Sequence, residues 1–356
     1  MRQLLCLSCI KKCLALNKSR YIIGLLIFLS FSFFSWRNTD LIDFFVPKGW
    51  PKPVYDFKKN ELTDKGFELG RKLFYDPIIS RDSTISCASC HLQYTGFAHT
   101  DHALSHGIEG RIGTRNAMPI MNLAWTKLFH WDGGVISIET QPINPITNPL
   151  EMDNSLTNVL GKLNHSKRYK GLFYNAYGDS LISTKSLLKA LTQFTVSLVT
   201  YNSKYDKVMR HDKDTFFTKQ EENGYNLFKR NCESCHREPL TTNDSFADNG
   251  LPLDADYKDY GRVKITQNAK DSFNFRVPTL RNIEFTYPYM HDGRFKKLKE
   301  VLDFYTNGQV RRITVAKELQ KPIVLSDNEK KDLIAFLKTL TDKEFLFNPK
   351  FSFPRE

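Results

Sequence analysis

Two copies of the pattern Cys-x-x-Cys-His constrain this chain more than any other feature: Cys87–Ala88–Ser89–Cys90–His91 and Cys232–Glu233–Ser234–Cys235–His236. Two thiols three residues apart with a histidine immediately after are the attachment pattern of c-type haem. The order follows from the chemistry, because the thiols add across the porphyrin vinyl groups and the adjacent imidazole swings beneath the ring to bind iron. Other uses of paired cysteines fit less well. A zinc ribbon sets its pairs about 15–20 residues apart, and these two lie much further from each other. A thioredoxin-type dithiol sits among alternating strands and helices, a pattern missing from the flanks of both motifs. The motifs therefore predict two covalently bound haem c groups, whose apolar faces take over much of the core-building.

A chain of 356 residues is long enough for two ordinary domains. Residues 1–37 read as a leader: Arg2, Lys11, Lys12, Lys18 and Arg20 precede an uncharged, mostly apolar run from Tyr21 to Trp36, closed by Arg37. That is the arrangement of a secretory signal. The run is short against the roughly 20 residues of a membrane span. No small-x-small cleavage site follows it, so a cleaved signal peptide and a retained anchor both stay open. Either predicts export. Cys6, Cys9 and Cys13 in the leader lack a following histidine and a lipidation pattern. They read as incidental, with a lipid-modified or metal-binding tail as the alternative. The net charge of +12 overstates the basicity of the rest, since residues 1–37 hold six Lys and Arg and no Asp or Glu, leaving 45 against 39. That modest excess suits the steering of an acidic electron donor. With no basic stripe, zinc finger or stacking motif, it is no nucleic-acid signature.

Residues 38–60, polar and carrying Pro47, Pro51 and Pro53, read as a linker. A helix is predicted from Thr63, with Leu69, Leu73 and Phe74 near helical spacing and Pro77 as its stop. A glycine-punctuated loop from Gly96 to Gly113 holds His99, His102 and His106, and the proline-rich stretch 141–152 reads as ordered but irregular. Helical patterns run over 155–177 and again from Thr184, where Leu187, Leu188, Leu191, Phe194, Leu198 and Val199 make a core stripe. Thr218–Lys219–Gln220–Glu221 and Ser326–Asp327–Asn328–Glu329 have the form of capping boxes, each opening a helix. The chain is also duplicated. Gly70–Arg71–Lys72–Leu73–Phe74 resembles Gly224–Tyr225–Asn226–Leu227–Phe228, and Trp131–Asp132–Gly133 echoes His291–Asp292–Gly293. The expected fold is mostly α: two tandem cytochrome-c-like haem domains, 61–210 and 211–345, between the leader and linker and a tail at 346–356.

Leu69–Gly70–Arg71–Lys72–Leu73–Phe74–Tyr75–Asp76, the Cys87 motif, Trp131–Asp132–Gly133 and Pro288–Tyr289–Met290–His291–Asp292–Gly293–Arg294 together resemble the bacterial di-haem cytochrome c peroxidases. The resemblance runs from about residue 60 to residue 342. It implies that the N-terminal haem reacts with hydrogen peroxide. The C-terminal haem would take electrons from a small periplasmic cytochrome c or cupredoxin, with His91 and His236 as proximal ligands. It places Gln141, Pro145 and Glu151 over the first haem, with Glu151 moving a proton between the peroxide oxygens. Trp131 becomes the aromatic between the haems, a role compatible with a place in the core. A calcium ion between the domains is implied on the Asn116 side chain and the carbonyls of Thr286 and Pro288, oxygen ligands of the kind calcium takes. A periplasmic location follows, while anchoring by the leader and a homodimer stay open.

Three positions depart from the family pattern. The loop histidine that caps the peroxidatic haem until the other haem is reduced matches Ile108, with His102 and His106 nearby but out of register. The expectation is a first haem already open in the oxidised state. The methionine that often binds the second haem matches Tyr305. A tyrosine there looks like the di-haem oxidase that matures methylamine dehydrogenase, and an anionic phenolate favours higher iron states and lowers the potential. Met290 is the alternative ligand, and a core tyrosine the plain structural reading. Gly134 stands where the family usually has arginine. If that arginine pairs with a haem propionate, another cation must do so here. The leading function is an exported cytochrome c peroxidase. The alternatives are a di-haem oxidase of a protein or small molecule acting through high-valent haem, and a non-catalytic electron-transfer cytochrome.

Overall fold

The computed structural model describes residues 41–355; the leader with Cys6, Cys9 and Cys13 lies outside them. Ile42–Glu356 is a compact unit of two helical lobes. The first contains α1 (Asp64–Tyr75), α2 (Leu156–His165), α3 (Lys167–Tyr177) and α4 (Thr184–Val196). The second contains α5 (Lys219–Asn231), α6 (Leu298–Asp303) and α7 (Asp327–Lys338). Among the described residues the sheet is one antiparallel pair, β1 (Phe246–Ala247) and β2 (Phe275–Arg276), with Phe246 opposite Arg276. Among those residues, too, no helix is long and apolar enough to cross a membrane.

Local chemistry sets the helix ends. The Thr63 hydroxyl accepts the Gly66 N–H at 2.9 Å at the start of α1, and the helix stops before Asp76–Pro77, because proline disfavours helical backbone in the residue ahead of it. The 155–177 pattern breaks in two at Ser166, whose hydroxyl accepts the Tyr169 N–H at 3.3 Å and starts α3. Both capping boxes form: Thr218 and Glu221 exchange side-chain to backbone bonds of 2.7 and 3.2 Å, and Ser326 and Glu329 bonds of 2.8 and 3.3 Å.

The duplication has a packing reason. α1 crosses α4, and α5 crosses α7, each at a glycine. A Cβ on Gly70 would stand 2.0 Å from the Ala190 carbonyl oxygen, and one on Gly224 would stand 2.0 Å from that of Asp332. Leu73, Phe74, Leu227 and Phe228 follow these glycines into the two cores. The second echo is a repeated turn. The N–H of Phe129 donates to Val135 and that of Tyr289 to Phe295, both at 2.7 Å. Inside each turn a non-glycine residue takes positive φ, His130 at 68° and Met290 at 74°. Such backbone is uncommon outside glycine and is worth tracing to function.

The ends of the unit are bound into it. Phe345, Leu346 and Phe351 join the first lobe's core, Tyr75 donates its hydroxyl hydrogen to the Phe351 carbonyl at 2.8 Å, and Arg71 donates to the Lys350 carbonyl at 2.9 Å. At the other end Trp125 Nε1 donates to Pro51 at 2.7 Å, and Ile42, Phe44 and Phe57 pack with Leu62, Phe129 and Val196. Asp342 ties the second lobe to the first, its carboxylate accepting from Thr200, Tyr201 and Asn202 at 2.9–3.1 Å.

Candidate active site

Cys87–Cys90 form one helical turn that brings the His91 N–H onto the Cys87 carbonyl at 3.0 Å. His91 Nδ1 then lies 2.7 Å from the Phe97 carbonyl. This bond assigns the ring proton to Nδ1 and leaves Nε2 as the ligand atom, the arrangement that orients metal-binding histidines generally. The second motif repeats it, with His236 Nδ1 at 3.2 Å from Thr241 O and 3.1 Å from Pro278 O. Burial pushes both imidazoles down to about 4, so each is neutral and able to donate its lone pair. Burial also pushes Cys87 and Cys232 up to about 12. None of the four motif cysteines is tied up in a disulfide, and among the described residues no three His, Cys, Asp or Glu side chains gather as a zinc site would require.

His91 and Cys90 open onto a cavity of about 450 Å³. Gln141, Pro145, Glu151 and Trp131 line that same cavity. Pro145 sits on the helical turn Ile143–Thr147, and its carbonyl accepts the Met152 N–H at 3.1 Å, which folds the Glu151 turn back over the site. Asn148 Nδ2 donates to Glu151 Oε1 at 2.8 Å. Burial raises the Glu151 pKa, with the Asn148 bond working against it. Trp131 is buried, donates from Nε1 to the Asn116 carbonyl at 2.9 Å, and accepts the Arg276 N–H of the second lobe at 2.8 Å. It therefore stands where the lobes meet.

Ile108 is fully buried and donates its N–H to the Glu151 carbonyl at 2.9 Å. The loop reaches this contact through Gly107, where a Cβ would meet the Leu150 carbonyl oxygen at 2.1 Å. His102 and His106 stack on each other, ring centres 4.0 Å apart, and are absent from the cavity lining.

At the second motif, α6 runs into a π-helical turn, Phe304–Gly308, that carries Tyr305; such turns concentrate at functional sites. Asn249 Nδ2 lies 3.3 Å from the Tyr305 hydroxyl and 3.5 Å from Met290 Sδ, so both candidate ligands converge on one amide. Burial pushes the Tyr305 phenol up to about 12, the Asn249 bond opposing and the Cys232 and Cys235 thiols adding to it. That mutual influence puts the ring beside the second motif. Asn116 donates its N–H to the His291 carbonyl at 2.7 Å and its side-chain amide to Ala103 at 3.0 Å, while Thr286 lies against Gly96.

Sequence reasoning missed three groups. Asn249 carries no motif. His130 was findable in principle, since it occupies the place in the first repeat that Met290 holds in the second. Arg276 has nothing around it to single it out. His130 Nε2 and Arg276 Nη2 are buried without a hydrogen-bond partner, and both residues line the first cavity. A cavity that leaves cationic and imidazole N–H positions unmet suits a flat apolar group with an anionic edge, as haem is.

Two Cys-x-x-Cys-His motifs, neither with a disulfide and each with its imidazole oriented by backbone carbonyl oxygen, define a di-haem c-type cytochrome. The family model described as di-haem cytochrome c peroxidase matches residues 64–214, and that of cytochrome c matches 221–341. The chain is 35% identical over 301 residues to the methylamine utilization protein MauG of Methylorubrum extorquens, covering 82% of each chain. It is 34% identical to the cytochrome c551 peroxidase of Nitrosomonas europaea, covering 81% of this chain and 82% of that one. A solved MauG-like protein associated with microbial copper homeostasis superposes with a TM-score of 0.81 at 30% identity, over 88% of this chain and 99% of that one. The chain belongs to the di-haem cytochrome c peroxidase family. It is an oxidoreductase with two covalently bound haem c groups.

Proposed function

We propose that this protein is an exported, periplasmic peroxidase that reduces hydrogen peroxide to two waters with two protons and two electrons. The electrons come from a small cytochrome c or cupredoxin. The observation that carries this reading is the convergence of Glu151, Gln141, Pro145 and Trp131 on the cavity that holds Cys90 and His91. The lobe 61–210 is the peroxidatic half and 211–345 the electron-transfer half. Haem iron supplies the redox chemistry. Glu151, whose basicity burial raises, takes the proton from the near peroxide oxygen as a carboxylate and then, as the neutral acid, delivers it to the far oxygen, so that water departs. Gln141 orients the peroxide, Pro145 keeps that side of the cavity dry, and Trp131 carries the electron between lobes. Ile108 in place of a capping histidine keeps the first site open in the oxidised protein. Asn116, Thr286 and Pro288 hold a calcium ion, and the leader either anchors the protein or is removed.

Titration of the oxidised protein with peroxide, read by absorption and followed by addition of reduced cytochrome c, tests the proposal. Two reduced cytochromes consumed per peroxide support it. Glu151→Gln is expected to lower turnover by about 100- to 10,000-fold, the usual worth of an acid–base group. A spectrum indifferent to peroxide would instead identify a pure electron carrier. The convergence of Tyr305 on the second motif favours a second reading, an oxidase of a protein or small molecule. That enzyme would change spectrum with peroxide yet leave reduced cytochrome c unconsumed.

A further inference from the structure

The first cavity has to neutralise the carboxylates of its haem, and the cations around it are not equally free to do so. Arg115 spends Nε and Nη2 on Asp259, at 2.6 and 3.1 Å, and Nη1 on Asp132 at 2.6 Å. Lys264 leans to Asp259 at 3.3 Å. Gly134 offers no side chain, and a Cβ there would already meet Ile265 at 3.1 Å. Arg276 is different. It is 8% exposed, stacked at 5.2 Å over Phe246, and held from one side by Nη1 to Asp244 and by Nε to the His130 carbonyl at 3.4 Å. Its Nη2 has no partner. Beside it, the left-handed backbone at His130 sets an imidazole whose Nε2 is likewise unmet.

We propose that Arg276, with His130 as a second donor, grips a propionate of the haem bound by His91. Asp244 fixes the guanidinium, and β2 fixes its backbone against Trp131, so one residue couples the haem edge to the tryptophan between the lobes. A charge-assisted bond of this kind is short and orienting. The inference rests on His91 as the site of the first haem and is independent of whether peroxide is the substrate.

The test is the redox-difference infrared spectrum of the holoprotein, in which haem carboxylate bands report their hydrogen bonding. Bands of the first haem are those missing from a Cys87→Ala/Cys90→Ala protein. Arg276→Leu is expected to shift a first-haem carboxylate band and to lower that haem's reduction potential, because removing the cation favours the ferric form. Arg276→Lys should move the band less. Asp244→Asn, which breaks the ion pair but keeps the guanidinium, should leave the carboxylate bonded. If Arg276→Leu yields no holoprotein, Arg276→Lys and His130→Gln read the same band, and a shift in either supports the grip. A first-haem band unchanged in the variants that do assemble, or a shift confined to the second haem, would overturn it.

Discussion

Tyr305 and Met290 reach the second haem site from different elements, one on a π-helical turn and the other on the repeated left-handed turn, and both meet Asn249. A phenolate oxygen and a thioether sulfur stabilise different iron states, so which one binds decides whether the second lobe only passes electrons or also stores oxidising power. The phenol sits closer to the donating amide. We expect Tyr305→Phe to change the absorption and EPR spectra of the second haem in the oxidised protein, and Met290→Leu to leave them as they are. The reverse pattern would assign the ligand to the thioether. Legibility at this scale was uneven. Covalent attachment needs two thiols and an imidazole adjacent in sequence, so both motifs were plain. Glu151, Gln141, Pro145 and Trp131 came only from resemblance, since a loop carboxylate shows nothing of its burial. Arg276 lies 146 residues from His130 and was invisible until the chain was folded.

Helix crossings put the duplication to a stability test. A methyl group at Gly70 or Gly224 would overlap a backbone carbonyl, and overpacking of this sort costs about 1–3 kcal/mol. Gly161 in α2 and Gly171 in α3 have nothing within 4 Å of a built Cβ and are not at positive φ. Alanine there should instead stabilise by about 0.5–1 kcal/mol, since glycine pays extra entropy inside a helix. Denaturant unfolding of the four holoproteins gives opposite signs for the two pairs if close approach is what the repeated Gly-x-x-Leu-Phe encodes. Periodicity located the helices because burial of one face repeats along the chain. It passed over the break at Ser166, where a hydroxyl accepting a single N–H interrupts an otherwise continuous apolar pattern. The way 345–351 returns to the first lobe's core was equally hidden, as an aromatic residue does not announce which core it joins.

At the scale of the whole molecule, the helical turn Lys204–Met209, whose Tyr205 packs into the second lobe's core, and the second haem loop are held together by one fully buried ion pair. Arg281, wholly buried, binds Asp206 through two bonds of 2.9 and 2.7 Å and the Pro239 carbonyl through Nε at 3.0 Å. Pro239 follows closely on the His236 motif, so the pair fixes the loop beneath the second haem. Burial alone would raise the Asp206 pKa. The Arg281 guanidinium, with Ser203, outweighs it and holds the carboxyl below its ordinary range. A carboxylate with a depressed folded-state pKa contributes stability above its unfolded value of about 3.9, and that contribution is lost as pH falls through the folded value. Arg281→Met leaves Asp206 buried without its partner, which costs about 3–5 kcal/mol near neutral pH. In that variant the unpaired carboxyl escapes the penalty by taking up a proton, so the gap between wild type and variant should narrow on acidification from about pH 7 to about pH 4. Unfolding free energies of the two holoproteins across that range are the measurement. A gap of constant size would mean that Arg281 acts through its packing on Trp50, 4.6 Å away, rather than through charge. A narrowing gap would make the ion pair the joint that keeps the second haem loop in register with the Lys204–Met209 turn.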